Sequence, residues 1–206
     1  QAYIKASNND SEGNVFGYAI SLSGDTLAVG AQAEDSNQTS ITNGSTSSGD
    51  NSATSSGAVY IYTRSGTSWS QQAYIKPSNA ASSQNFGNRL SLQGDLLVVG
   101  ANSEDSNTTS IINGSTASSD TSKSGSGAVY VFKRSGTSWS QIAYIKAVNA
   151  DEDDGYSETF VDLDNSTIVV GVPCEDSNQS SITNGTSASA NNDYSASGAT
   201  YVYRFY

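Results

Sequence analysis

The chain has 206 residues, 35% of them hydrophobic, and sets 20 acidic against 9 basic residues for a net charge of −11, with no histidine and no methionine. Such an acidic surface cannot neutralise a row of phosphates, which excludes nucleic acid as a partner and disfavours anionic membrane surfaces. No apolar run approaches the roughly 20 residues that cross a bilayer, so no membrane insertion is expected.

The chain begins at Gln1 rather than Met, as expected of a fragment or of a chain whose leader has been removed. Its first words, Ala2-Tyr3-Ile4-Lys5, return at 73–76 and 143–146. Phe16-Gly17 then opens "FGYAISLSGDTLAVGA", whose alternating apolar residues read as two strands joined at Ser23-Gly24-Asp25. A polar segment over 34–56 leads to "GAVYIYTR", where Ala58, Tyr60 and Tyr62 share one face and Val59 and Ile61 the other. A second hairpin turns at Ser65-Gly66-Thr67-Ser68 and closes on the next copy of "AYIK". The cycle repeats with turns at Ser135-Gly136-Thr137-Ser138 and polar segments over 104–126 and 175–197; every landmark recurs after 70 or 71 residues. The third unit differs, having Ser157-Glu158 where an aromatic-glycine pair is expected.

Period 2 throughout and strict tandem repetition predict an all-β fold of three four-stranded antiparallel β-propeller-type blades; a β-sandwich is the rival that exact repetition disfavours. The whole of 1–206 then forms a single repeat domain, with an orphan outer strand at 1–5 and blades over 14–76, 84–146 and 155–206. The third blade lacks its outer strand. That strand is expected from a neighbouring chain, with Ala2, Tyr3, Ile4 and Lys5 of one copy pairing Ala199, Tyr201, Val202, Tyr203 and Phe205 of the next.

Phe16-Gly17 and Phe86-Gly87, each followed by "VGA", resemble the FG-GAP repeat of integrin α-chain propellers, and "SLSGDTLAVGA" with "EDSN" is especially similar to its secreted bacterial members. The resemblance covers essentially the whole chain and implies a propeller-type fold and an extracellular or cell-surface location, but no particular activity. Integrin-type repeats often carry a DxDxDG calcium loop; "SGD", "QGD" and "DNS" stand in that place, so this site does not carry over.

The remaining acidic features leave two readings open. Asp151-Glu152-Asp153-Asp154 is either a solvated turn or a metal site. The thrice-repeated Glu34-Asp35, Glu104-Asp105 and Glu175-Asp176 either fix the exit of each long loop or ligate Ca2+. Each long loop keeps an apolar island, with Ile41, Ile111 and Ile182 expected to pin it to its blade. Acceptor triplets at Asn37, Asn43, Asn107, Asn113, Asn178 and Asn184, with two more at Asn9 and Asn165, mildly exceed chance and suggest glycosylation or simple solvation. Cys174 reads as a half-buried small hydrophobe or as a thiol able to join two chains.

No histidine, no Gly-x-Ser-x-Gly and no phosphate-binding glycine loop are present, so no enzyme and no cofactor are expected. Two functions follow. One is an extracellular structural protein that self-assembles head to tail, by strand complementation, into a fibre or ring of its own copies. The other is an adhesion module for a glycan or protein ligand, with possible calcium dependence.

Overall fold

The computed structural model describes residues 1–9, 13–156 and 160–205, which contain thirteen strands and no helix. The first sheet is built from β1 (Phe16–Ser23), β2 (Thr26–Ala31), β3 (Thr42–Asn43), β4 (Ala58–Ser65) and β5 (Ser68–Ile75), in the order β1-β2-β4-β5-β3. The second repeats that plan with β6 (Arg89–Gln93), β7 (Leu96–Ala101), β8 (Ile111–Asn113), β9 (Ala128–Ser135) and β10 (Ser138–Ile145), in the order β6-β7-β9-β10-β8. A third sheet holds β11 (Phe160–Asp164), β12 (Thr167–Val172) and β13 (Ala199–Arg204) in sequence order. All pairings within the sheets are antiparallel.

The first two sheets therefore have five strands rather than the expected four. The extra strand comes from the long polar loop. Thr42 pairs with Tyr74 and Asn43 with Ala73, and Ile111–Asn113 repeats this against Ile145–Ala143. An outer strand leaves a row of unpaired N–H and C=O groups, and the loop returns to cover part of it. The anchor is thus mainly backbone pairing. Among the isoleucines expected to pin these loops, Ile41 packs into the core while Ile111 is exposed and its neighbour Ile112 packs instead.

Both faces of an internal sheet are apolar, and each is buried by a neighbouring sheet. Val59, Ile61, Ala73 and Ile75 of the first sheet meet Leu90, Leu92, Leu97, Val99, Tyr130 and Phe132 of the second. The other face of the second sheet, with Val98, Val129, Val131 and Ile145, meets Val161, Leu163, Ile168 and Val170 of the third. The alternation of "GAVYIY" is therefore an alternation between two cores rather than between core and water.

Sheets approach so closely at their connections that only glycine fits. A Cβ on Gly30 would stand 2.1 Å from the Gly87 carbonyl oxygen, and one on Gly57 would stand 2.0 Å from that of Phe86. Gly57 and Phe86 form a parallel bridge, and Gly127 and Tyr156 form its counterpart. Phe86 lies edge-on to Tyr130 at 5.3 Å between ring centroids, and Tyr156 to Tyr201 at 5.5 Å. Tyr156 thus takes the aromatic place of the third unit. Ser157 and Glu158, which the sequence set there, lie outside the described residues.

Substitution at these glycines separates close approach from turn geometry. Gly57→Ala combines positive φ with a backbone collision and is expected to cost about 3 kcal/mol in urea unfolding. Gly66→Ala, at a hairpin turn with open space around it, is expected to cost about 1 kcal/mol.

Candidate functional site

Where each β2-type strand ends, the chain turns and buries a carboxylate. Glu34 is almost wholly excluded from water. Its Oε2 accepts Lys76 Nζ at 2.9 Å and the Ser36 amide at 3.1 Å, and its Oε1 accepts the Tyr74 hydroxyl at 2.7 Å and Asn8 Nδ2 at 3.0 Å. Lys76 also donates to Ser56 Oγ at 2.6 Å, and that hydroxyl donates to the Ser36 carbonyl at 2.7 Å. Asn8 in turn accepts the Tyr60 hydroxyl. One carboxylate thereby joins the loop exit, the outer strand and the segment entering the blade.

The second sheet repeats the arrangement. Glu104 accepts Lys146 Nζ at 2.9 Å, Asn79 Nδ2 at 3.0 Å and the Ser106 amide at 3.1 Å. Lys146 donates to Ser126 Oγ at 2.6 Å, and Tyr130 donates to Asn79 Oδ1 at 2.7 Å. The Tyr144 hydroxyl, the counterpart of that of Tyr74, is buried beside Glu104 and Ser106. Burial pushes both lysine ammonium groups down from their ordinary range, opposed chiefly by the facing glutamate. Burial raises the Tyr74 phenol well above its usual value, with Glu34 pushing the same way.

In the third sheet this network is half built. Glu175 is 5% exposed and accepts Asn149 Nδ2 at 2.8 Å and the Ser177 amide at 3.2 Å. Tyr201 donates to Asn149 Oδ1 at 2.6 Å, and Ser197 Oγ donates to the Ser177 carbonyl at 2.6 Å. Among the described residues Glu175 has no ion-pair partner. The lysine and tyrosine of the other two sites come from the "AYIK" strand, which has no counterpart among the described residues of this sheet. Beside it, the buried Asp154 carboxyl is pushed up to about 6, first by desolvation and then by the negative charge of Asp151, Glu175 and Asp176, against a lowering bond from the Asp151 amide. In the second sheet the corresponding residue is the uncharged Gln84, which accepts the Ala81 amide at 3.1 Å.

The aspartate of each Glu-Asp pair has a separate task. Asp35 Oδ1 accepts the Ser55 amide at 2.6 Å, Asp105 that of Gly125 at 2.9 Å and Asp176 that of Ala196 at 2.6 Å, so each ties the two ends of a long loop together. Protein donors engage these carboxylates, and among the described residues no group of three or more metal-ligating side chains gathers. The six acceptor asparagines are all exposed. Asn43 uses its side-chain amide on the Trp139 backbone of the next sheet, and Asn178 uses its amide on Asp193. Cys174 is half-buried. Ala2–Lys5 lies at the first-sheet end of the stack and Ala199–Arg204 at the other, so one chain does not bring them together.

Sequence reasoning did not find Lys76, Lys146, Ser56, Ser126 or the asparagines Asn8, Asn79 and Asn149 as parts of one site. The signal was present as "AYIK" followed three residues later by Asn in all three units.

The aromatic residue of one unit is seated on the glycines of the unit before it, and a family model described as the FG-GAP repeat matches residues 1–62 and 69–115. The chain belongs to the FG-GAP repeat family. Comparison with curated proteins returns no match. In this FG-GAP repeat protein Phe86-Gly87 meets Gly30 and Gly57 of the preceding unit, while the Gly87 amide also donates to the Gly100 carbonyl of its own unit at 2.9 Å.

Removing one partner of a buried pair leaves a bare charge in a poorly solvating place. Lys146→Met is expected to lower unfolding stability by about 3–5 kcal/mol, with partial recovery in Lys146→Met combined with Glu104→Gln. Asp154 holds its proton more tightly folded than unfolded. Its stabilising contribution is therefore fully present below about pH 4 and lost as pH rises through about 6. Asp154→Asn keeps the acceptor and is expected to flatten stability between these pH values and to gain about 1–2 kcal/mol above pH 7 in denaturant titrations.

Proposed function

We propose that this FG-GAP repeat protein is a non-enzymatic, extracellular structural module that associates head to tail with copies of itself, each contact adding the blade-to-blade interface that the chain already builds twice internally. The observation that carries this reading is the pair of unlike apolar end faces. On the first sheet Ile20 and Leu22 are 69% and 63% exposed, while their counterparts Leu90 and Leu92 are buried against the preceding sheet. On the third sheet Val202 is 66% exposed and Val169 also reaches solvent, while their counterparts Val131 and Val98 are buried against the following sheet. The two faces are the two halves of a contact seen inside the chain, so a second copy supplies a matching surface.

Ala2–Lys5 of the incoming copy then takes the edge of β13 beside Ala199–Phe205, as β5 takes the edge of β4. The contact is heterologous. It closes a ring if the rotation between copies closes and otherwise continues as a filament. The Ser-, Thr- and Asn-rich loops leave the assembly with a polar, heavily solvated outer coat.

Light scattering across a concentration series tests this. The wild-type chain is expected to exceed the 21.3 kDa of a single copy, with mass rising with concentration or stopping at one ring size. Leu22→Asp and Val202→Asp, each on one end face, are expected to weaken association at least about 30-fold while leaving the melting of the single chain nearly unchanged. A wild-type chain that stays monomeric up to its solubility limit overturns the proposal.

A further inference from the structure

We infer that the outer seam between neighbouring units is a recognition surface: the first unit is built to receive the second unit's strand end and the second unit to receive the third's. The order of units that share one backbone plan is then fixed by side chains. The inference concerns the two junctions inside the chain and stands apart from association between copies.

The side that docks is the end of β4, β9 and β13. The amides of Arg64, Arg134 and Phe205 donate to the carbonyls of Asp25, Asp95 and Ser166, each at 2.8 Å, so the three side chains start from one structural position. Arg64 and Arg134 each donate Nε to the aspartate Oδ1, at 2.8 and 2.7 Å. Each also lies over the tryptophan of its own hairpin, 5.7 Å from the Trp69 ring centre and 5.4 Å from that of Trp139. In the third unit Phe205 and Ser166 stand where the other units have arginine and aspartate, so both members of the ion pair are exchanged together.

The receiving side changes with them. At the first junction Arg134 Nη1 reaches into the preceding unit and donates to Thr26 Oγ1 at 2.9 Å and to Gln72 Oε1 at 3.4 Å. Trp139 Nε1 donates to the same Gln72 oxygen at 2.9 Å. Asn43 adds a clamp: its Oδ1 accepts the Trp139 amide at 2.8 Å and its Nδ2 donates to the Trp139 carbonyl at 3.4 Å.

Strand pairing identifies the same two receiving positions in the second unit. Leu96 faces Gln93 as Thr26 faces Ser23. The Ile142 carbonyl accepts the Gly114 amide at 2.7 Å as the Gln72 carbonyl accepts that of Gly44 at 2.6 Å. Leu96 and Ile142 pack, with Phe205, on the core between the second and third sheets. A polar receiver therefore goes with arginine and an apolar receiver with phenylalanine.

Mismatch is unfavourable in either direction. An arginine at the second junction meets Leu96 and Ile142, which offer its guanidinium no side-chain acceptor. A phenylalanine at the first buries the Thr26 hydroxyl without its donor. Discrimination of this kind comes from the wrong neighbour being penalised, and it is what units with the same glycine seats need in order not to pair out of order. The inner edges differ too. Ser21 and Ser23 hydroxyls accept the Leu92 and Gly94 amides at 3.1 and 2.9 Å, whereas Ser91 and Gln93 donate to the Asp162 and Asp164 carboxylates at 3.0 and 3.4 Å.

Urea unfolding of the full chain tests this by paired exchange. Thr26→Leu and Arg134→Phe are each expected to raise the unfolding constant about tenfold. The double variant copies the Leu96 and Phe205 combination and is expected to return to within about threefold of wild type. Leu96→Thr, Phe205→Arg and their combination are expected to compensate in the same way at the second junction, and this set decides alone where Thr26→Leu does not fold. Arg134→Phe combined with Leu96→Thr, which pairs the wrong positions, is expected to show no recovery. Single variants as stable as wild type, or losses that multiply in the matched double variant at either junction, overturn the inference.

Discussion

A sheet with two apolar faces cannot be buried by its own chain segment, and the architecture follows from that constraint. Each unit covers one face of the next, so an internal sheet such as the second has Val131 in one core and Phe132 in another. Apolar area buried this way, worth roughly 25 cal/mol per Å2, is gained at the junctions between units, beside a smaller core within the first unit around Val29, Tyr60 and Tyr74. The glycines at positions 30 and 57 are consequences: two backbones separated by less than a side chain let the aromatic residue of the next unit enter. Stacking also explains why 35% hydrophobic residues suffice for a chain of this length. They sit on strands that serve two cores, and the polar remainder sits in loops.

Apolar faces slide, and the Glu–Lys–Asn–Ser network stops them from doing so. A buried ion pair adds little net stability over a well-packed apolar pair, but it is strongly unfavourable when either partner is missing. Glu34 and Glu104 each tie a loop exit to an outer strand and to the connection from the preceding unit, so an error in register leaves a charge bare. We regard register as the role of this network, with the aspartate of each Glu-Asp pair closing the loop that carries the glutamate.

The same logic makes the ends of the stack unlike one another. One end presents the face that receives a preceding blade and the other the face that receives a following one, with a half-built charge site beside the second. The first of these faces exposes Ile20 and Leu22 and the second exposes Val202. Membership of the FG-GAP repeat family accounts for the blade and leaves open what the blade is for, since function resides in surfaces and not in the repeat. Among the described residues no helix is long and apolar enough to cross a membrane.

The sequence by itself determined the strands, their turns and the three-fold repeat, because period-2 alternation and Gly-containing two-residue turns are local signals that burial on both faces reinforces. Tyr60 and Val59 could be assigned to opposite faces from alternation alone. Only the tertiary structure decided what the polar residues do. The fifth strand was invisible because Thr42–Asn43 is too short to carry a pattern and is defined by its partners 30 and 32 residues away. In the third unit one aromatic replaced another, so Tyr156 escaped a reading that sought Phe-Gly. The buried site gathers Asn8, Glu34, Ser56 and Lys76 from four separate stretches. A lysine on a strand reads as a solvated edge until the fold places a carboxylate opposite it and removes the water, and that long-range placement has no counterpart in local sequence.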